Sequence, residues 1–233
     1  MKYSNVKAAK FISRPNRFIA EVELDGETLL VHVKNTGRCR ELLVPGATVY
    51  LERGSSPTRR TPYDLIAVEK ICEGARTLLI NMDSQCPNSL VAEWLPESGL
   101  FSPGASIRRE VTYGDSRFDL YVEDGDRRAF IEVKGVTLEN DGVAMFPDAP
   151  TERGVKHLMG LADCVSLGYE AYLVFVIQMK GAGVFKPNRA THAIFADALL
   201  YAKRAGVSIL AYDSAVSPDE IYIDSPISVD LGE

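Results

Sequence analysis

The sequence predicts a small β-barrel followed by an α/β layer, and three observations carry that prediction. Residues 1–83 read as a run of short strands with no convincing long helix. After Asp83 helical and extended patterns alternate, the signature of an α/β layer. The continuous apolar run Ala171–Ile177 has the character of a strand buried on both faces. The expected boundary divides the chain into units of residues 1–83 and 84–233.

In the first unit, Phe18–Leu24 and Thr28–Val33 flank Asp25-Gly26, a strong hairpin signal. Ala47–Leu51, Asp64–Ile71 and Arg76–Ile80 continue the extended pattern. Val44-Pro45-Gly46, Gly54–Pro62 and Glu73-Gly74 mark loops and turns. Five short strands in about 80 residues suit a small barrel, with an OB-fold as the natural candidate and an SH3-like barrel or sandwich as alternatives. In the second unit, Leu90, Val91, Trp94 and Leu95 fall at helical spacing within Pro87–Glu97, and Gly99 can end that helix. Two strands follow, Arg117–Glu123 and Ala129–Lys134. A loop with Pro147 and Pro150 leads to a helix starting near Thr151, and a helix near Thr191–Ala205 and a strand Val207–Tyr212 complete the pattern.

Composition excludes several functions. The 233 residues are 46% hydrophobic and 25% charged, as in ordinary globular domains. No run approaches the ~18 apolar residues of a membrane helix, and the first residues lack the apolar core of a secretory signal. A cytoplasmic protein with no membrane partner is expected. Cys39, Cys72, Cys86 and Cys164 contain no Cys-x-x-Cys pair, which argues against a zinc knuckle or a disulfide framework. The three histidines show no metal-ligand spacing. The net charge of −6 is unevenly spread: residues 1–83 carry 13 Lys and Arg against 10 Asp and Glu, and residues 84–233 carry 13 against 22. Local charge, not the total, sets the field that a polyanion meets.

The segment Arg117–Lys134 carries the chemistry. Strand alternation places Phe118, Leu120 and Val122 on one face, matched by Ala129, Ile131 and Val133. Asp119, Glu132 and Lys134 then share the opposite face, because a one-residue slip would expose one apolar set. Two turns satisfy this parity. With Gly125-Asp126 as a type II′ turn, Asp119 faces Glu132. With Asp124-Gly125 as a type I′ turn, Glu132 faces Arg117 in a structural salt bridge. Like charges opposed at ~4.5–5.5 Å between Cβ atoms are destabilising, so an Asp119–Glu132 pair calls for a cation or a shared proton. Two carboxylates suit Mg²⁺, or Mn²⁺ in its place, with water and phosphate as further ligands. Lys134 beside them could orient a water for attack on a phosphodiester.

Asp119 followed by Glu132-Val133-Lys134 resembles the PD-(D/E)XK nuclease signature. Longer stretches are similar to the sugar fermentation stimulation protein A family: Asn16-Arg17-Phe18, Asn35-Thr36-Gly37-Arg38 with Glu41-Leu42-Leu43, Ser116–Asp119, Ile131–Thr137, Phe146–Ala149, Thr151–Leu158 and Pro187-Asn188. The resemblance implies an N-terminal OB-fold, a restriction-endonuclease-like (PD-(D/E)XK) α/β domain, DNA binding and a link to sugar catabolism. The chain departs from the nuclease signature in having Phe118 before the acid, and Asp197 is the nearest acid after Pro187-Asn188.

Thr151 is positioned to cap its helix. Val155, Leu158, Met159, Ala162 and Val165 form the expected apolar stripe of that helix, and Arg153, Lys156 and His157 form a basic face near its phosphate-favouring N-terminus. Gln178 ends the buried strand and could reach the site, while Glu93 and Glu110 read as solvated acids. In the first unit Lys10, Arg14, Arg17, Lys34, Arg38 and Arg40 border Phe11 and Phe18, and basic groups with aromatics suit a nucleic-acid strand. Both rings read more readily as core. Arg14, Arg17, Lys34, Arg38, Arg40, Arg117, Arg153, Lys156 and His157 form the expected DNA-contact set, and Asp119, Glu132 and Lys134 the expected catalytic set. DNA is the expected partner, with a homodimer as a candidate assembly. Three functions compete: a Mg²⁺-dependent nuclease, a DNA-binding regulator of sugar-use genes without catalysis, and a metal-dependent enzyme acting on a small phosphorylated metabolite.

Overall fold

The computed structural model describes residues 1–35, 37–54, 59–72, 74 and 76–232. Thr36, Glu73 and residues 55–58 of the expected Gly54–Pro62 loop lie outside the described residues.

The first unit contains β1 (Val6–Asn16), β2 (Ile19–Leu24), β3 (Glu27–Val33), β4 (Thr48–Arg53), β5 (Tyr63–Ile71) and β6 (Thr77–Asn81). Their order is β3-β2-β1-β4-β5-β6, and β3 closes on β5 through His32–Asp64 and Val33–Leu65. The result is a five-stranded barrel of OB type with β6 appended to β5. Asp25 and Gly26 both take positive φ, 54° and 83°, between the paired Leu24 and Glu27. That is the type I′ geometry which Asp-Gly favours. Ala20, Val22, Val31, Val49, Leu51, Leu65 and Val68 are buried inside, each Val or Leu side chain contributing roughly 1.5–3 kcal/mol at full burial.

Strand β1 is a correction to the five expected strands. Only Ala9 and Phe11 are buried along its eleven residues, and its pairing with β2 shifts twice between Phe11 and Asn16. Interleaved Lys7, Lys10 and Arg14, together with Pro15, hide any alternation from a sequence reading.

The second unit opens with α1 (Cys86–Trp94), which runs into a 3₁₀ turn at Leu95–Glu97. Then come β7 (Ser106–Tyr113), β8 (Ser116–Asp124), β9 (Arg127–Val136), β10 (Leu138–Asn140), β11 (Val143–Phe146), α2 (Glu152–Ser166), β12 (Glu170–Ile177), β13 (Val184–Pro187), α3 (Arg189–Arg204), β14 (Ser208–Ser217), β15 (Glu220–Pro226) and β16 (Ser228–Val229). The main sheet has the order β15-β14-β12-β9-β8-β7, with β14, β12 and β9 parallel. Helix α1 packs Leu90 and Val91 on one face, with Leu120, Ile131 and Val174. Helices α2 and α3 cover the other, with Leu158, Leu161, Phe195 and Leu199 against Phe130 and Phe175. Strands β9 and β12 are therefore buried on both sides, as the apolar run Ala171–Ile177 predicts. A smaller sheet, β10-β11-β13-β16, lies alongside.

The two units meet in a polar junction. The Asn81 amide donates to the Gln178 carbonyl at 2.9 Å, and Gln178 Nε2 donates to Asn81 Oδ1 and to the Asp83 carbonyl, both at 3.0 Å. Lys34 Nζ reaches Asp83 at 3.0 Å. A second contact ties Lys70 and Arg76 to Glu139 at 2.7 and 3.2 Å. Residues 1–3 belong to this junction too: Lys2 bridges Glu220, and the Tyr3 amide donates to the Asp219 carbonyl at 2.8 Å.

Candidate active site and basic face

The β8–β9 hairpin takes the first of the two registers. Asp124 pairs with Arg127, and the ladder runs to Leu120–Ile131. Gly125 has φ 62° at the first turn position, where a type II′ turn requires it. Asp119 and Glu132 are the next residues in register. There the strands part, and Asp119 Oδ2 accepts the Val133 amide at 2.8 Å in place of a backbone partner. Asn88, in the first turn of α1, donates to Asp119 Oδ1 at 2.7 Å. Arg117 does not reach Glu132; it pairs with Glu110 at 2.6 Å on the surface.

Opposite Asp119, Glu110 adopts a left-handed backbone with φ 56°. The β7–β8 ladder passes from Arg109–Leu120 directly to Val111–Phe118. Phe118 departs from its expected parity and lies on the opposite face of the sheet from Leu120 and Val122. Its ring lies 5.2 Å from Phe130 and 6.3 Å from His157 on the α2 side, whereas Leu120 packs with α1.

Glu132 is 1% exposed. Its Oε1 accepts hydrogen bonds from both Lys134 Nζ and His157 Nδ1, while its buried Oε2 has no hydrogen-bond partner. Arg153 Nε donates to His157 Nε2 at 3.4 Å. The tautomer with its proton on Nδ1 satisfies both contacts. Burial acts to raise the Glu132 carboxyl, but the His157 hydrogen bond and the Lys134 charge outweigh it and hold the group below its ordinary range. Asp119 moves the other way: burial and then the Glu132 charge push it up, against the Val133 amide, Lys134 and Asn88. Opposed shifts in two neighbouring acids make this pair the candidate site.

The donor set fits a hard divalent cation. A buried carboxylate oxygen without a partner is costly, and Oε2 of Glu132 with the half-buried Asp119 provides the one or two carboxylates that Mg²⁺ takes. Among the described residues no cluster of three or more His, Cys, Asp or Glu is placed to hold a metal, so other ligands would come from water, backbone or phosphate.

His157 is a correction to the expected basic face of α2. It is 6% exposed and points into the sheet, because its ring fills the space between Phe118 and Glu132. Arg153 and Lys156 are exposed, as is Met159, which was expected in the apolar stripe. Thr151 caps α2, its hydroxyl accepting the Gly154 amide at 3.0 Å. Gln178 is buried in the domain junction beside Gly135. Of the other acids, Glu93 pairs with the Met1 amino group at 3.1 Å, and Asp197 with Arg189 at 2.6 Å.

On the barrel, the expected basic residues separate. The Arg14 guanidinium is directed inward and donates to the carbonyls of Arg17, Asn35, Gly37 and Arg38 at 2.6–2.8 Å. Lys34 is held by Asp83 and Glu52. Lys10 Nζ donates to Thr48. Arg17, Arg38 and Arg40 are exposed and, among the described residues, pair with no acid; they line a cavity of about 400 Å³. Phe11 is core, but Phe18 is 43% exposed, a correction, with the Arg17 guanidinium 4.8 Å from its ring centroid. Asn16 pairs with Ile19, and Phe18 is itself a residue of the two-residue turn Arg17-Phe18 between them, clear of the barrel core.

Sequence reasoning missed Asn88 and the Glu132–His157 contact. Asn88 stands two residues after Cys86 on a helix that otherwise reads only as core packing. His157 lies 25 positions from Glu132, and no spacing rule links a strand to a helix beyond an intervening sheet.

The fold and site define a class: an OB-type barrel joined to a restriction-endonuclease-like α/β domain with paired strand carboxylates and a lysine. Residues 12–80 match the SfsA N-terminal OB domain, and residues 85–220 match the sugar fermentation stimulation protein RE domain. The chain belongs to the sugar fermentation stimulation protein family. It is 56% identical over 233 residues to a sugar fermentation stimulation protein homolog of Desulfitobacterium hafniense (strain Y51), covering 100% of both chains. A homolog of Ruminiclostridium cellulolyticum is 54% identical over 231 residues, covering 99% of this chain and 100% of that one. The structure of Pyrococcus furiosus SfsA in complex with Ca²⁺ superposes with a TM-score of 0.84 at 27% identity, covering 99% and 98% of the two chains. No helix among the described residues is long and apolar enough to cross a membrane.

Proposed function

We propose that this protein binds DNA and hydrolyses phosphodiester bonds with a divalent cation held by Asp119 and Glu132. One observation carries the reading: Glu132 is buried with Oε1 engaged by Lys134 and His157 and Oε2 left without a partner. A carboxylate so held directs one oxygen, already deprotonated, at a cation. The Ca²⁺ complex of the similar Pyrococcus protein supports a divalent ion as ligand. Mg²⁺ or Mn²⁺, when bound, would supply Lewis acidity toward the phosphate.

The chain's own residues do the rest. Asn88 and the Val133 amide fix the Asp119 carboxylate. His157 fixes Glu132 from the opposite side of the sheet. Lys134, held at Glu132, orients a water and adds positive charge beside the phosphate. Arg17, Arg38 and Arg40 hold the DNA backbone. Cytoplasmic residence accords with DNA as substrate.

Plasmid cleavage with Mg²⁺ or Mn²⁺, comparing wild type with Asp119→Ala and Glu132→Gln, tests the reading. Cleavage by wild type and loss in both variants is expected. Equal cleavage by all three would assign the activity to a contaminant. DNA binding with no cleavage by any would leave a DNA-holding regulator, and displacement of DNA by sugar phosphates from the metal-loaded protein would favour a small phosphorylated substrate.

A further inference from the structure

Two adjacent residues at the start of α1 engage side chains from two adjacent strands. Asn88 donates to Asp119 on β8 at 2.7 Å, and the Ser89 hydroxyl accepts the guanidinium of Arg109 on β7 at 3.3 Å. Arg109 is in register with Leu120, which packs with α1, and cross-strand partners share a face of the sheet. The Arg109 guanidinium therefore lies on the α1 face, beside the strand segment Asp119-Leu120. The apolar side chains of β7 show where that face ends: Ile107 packs on the α1 side, whereas Val111 and Tyr113 pack on the α2 side. The change of face falls at Glu110, whose left-handed φ of 56° is costly for a residue other than glycine and is a conformation that gathers at functional sites. Glu110 itself is taken by Arg117 at 2.6 Å.

The cations around the site are engaged in different ways. Arg108 pairs with Glu123 at 3.3 Å and lies 4.8 Å from the Tyr121 ring centroid. Arg117 is neutralised by Glu110, Lys134 is held by Glu132, and Arg153 donates to the His157 ring. Arg109 is exposed and, among the described residues, pairs with no acid. Its partner is a neutral hydroxyl, which anchors the guanidinium without cancelling its charge. The remaining N–H groups form a free edge of the planar fork, the geometry that takes two phosphate oxygens at once. The site has use for such a group. A phosphodiester that places one oxygen on a cation at Asp119 and Glu132 leaves its other anionic oxygen to be held, and charge developing there during hydrolysis is best met by a donor already in place. Lys134 is bonded to Glu132, on the side of Asp119 away from β7.

We infer that Arg109, anchored by Ser89, is a substrate-binding residue that holds a phosphate of the DNA backbone next to Asp119. This rests on the phosphodiesterase reading above and adds a phosphate subsite to it, formed where the edge strand β7 meets the start of α1. Contacts of this kind fix the position of the backbone and carry no base preference.

Two measurements on the full chain test this: fluorescence anisotropy of a short labelled DNA duplex in Ca²⁺ over a salt series, and the single-turnover rate of plasmid cleavage in Mg²⁺. Arg109→Ala should weaken binding, flatten its salt dependence by about one counterion, and slow cleavage by about tenfold or more, as loss of a charge-assisted contact to the reacting group does. Its circular dichroism spectrum and urea midpoint should match wild type, since the side chain is exposed. Arg204→Ala is the comparison, an exposed cation in the last turn of α3 on the other face of the sheet, and it should leave both readouts unchanged. Wild-type rate and salt slope in Arg109→Ala, or equal losses in Arg109→Ala and Arg204→Ala, overturn the Arg109 contact, while cleavage that depends on Asp119 keeps the phosphodiesterase reading. Should wild type bind DNA without cleaving it, the salt slope decides: a counterion lost in Arg109→Ala alone supports the phosphate contact, and an unchanged slope overturns it. No DNA bound by folded wild type overturns the DNA reading itself, and the contact with it.

Discussion

Glu132 on β9 and His157 on α2 share a buried hydrogen bond, and the same carboxylate oxygen also takes Lys134. The helix thus fixes the strand acid from one side while Asp119, held by α1 through Asn88, meets it from the other. Each helix layer contributes one constraint on a two-carboxylate site.

That arrangement makes His157 a positioning residue with a stability cost on removal. His157→Ala leaves a buried carboxylate oxygen with one donor fewer, which should cost about 1–3 kcal/mol. Urea denaturation at pH 7 measures it, and His157→Gln, which restores a donor, should recover part of the loss. A change below about 0.5 kcal/mol would mean that Lys134 alone holds Glu132.

Arg14 and Arg38 should behave oppositely. Arg14→Ala removes four hydrogen bonds to the Asn35–Arg38 loop and the Arg17 carbonyl, and a loss of roughly 2 kcal/mol in unfolding free energy is expected. Arg38→Ala should leave the urea midpoint within error. It should instead reduce DNA affinity and flatten its salt dependence by about one counterion. Equal effects of the two substitutions on stability would remove the distinction.

The Glu139 contact gives an acid-sensitive junction. Burial tends to raise this carboxyl, but Lys70, the Gly142 amide and Arg76 outweigh it and hold it below its ordinary range. A carboxyl depressed in the folded state stabilises fully above the unfolded-state value, about 4.3, and the contribution is lost as pH falls through the folded value. Urea midpoints of wild type and Glu139→Gln should differ most near pH 7 and converge toward pH 3. A difference that stays constant across that range would show that Glu139 acts through packing alone.

Divalent cation should raise the thermal midpoint by mass action, since only the folded chain brings Asp119 and Glu132 together. Differential scanning fluorimetry with millimolar Ca²⁺ or Mn²⁺ against EDTA should give an upward shift of a few degrees for wild type. Asp119→Ala should show none. A shift retained in that variant would place the cation elsewhere.

The order of elements was legible from local patterns. Asp25-Gly26 dictated a hairpin because those residues accept positive φ. The run at 171–177 dictated a central strand because only a doubly covered strand is apolar on both faces. Gly125-Asp126 and Asp124-Gly125 satisfied the hairpin parity equally, and the choice that puts Asp119 beside Glu132 came from the packed sheet. Strand β1 was not legible, since Lys7 and Lys10 interrupt its apolar pattern and its pairing with β2 shifts twice between Phe11 and Asn16.

From its residues alone, this chain determined a barrel, an α/β layer and the Asp119, Glu132 and Lys134 set. These depend on side-chain alternation and turn chemistry, which act over a few positions. The tertiary structure decided that His157 turns inward to Glu132, that Arg14 is spent on loop carbonyls, and that Phe18 stands exposed beside Arg17. Those outcomes depend on which surfaces of distant segments come together, and that is set by the closure of the barrel and the stacking of helices on the sheet.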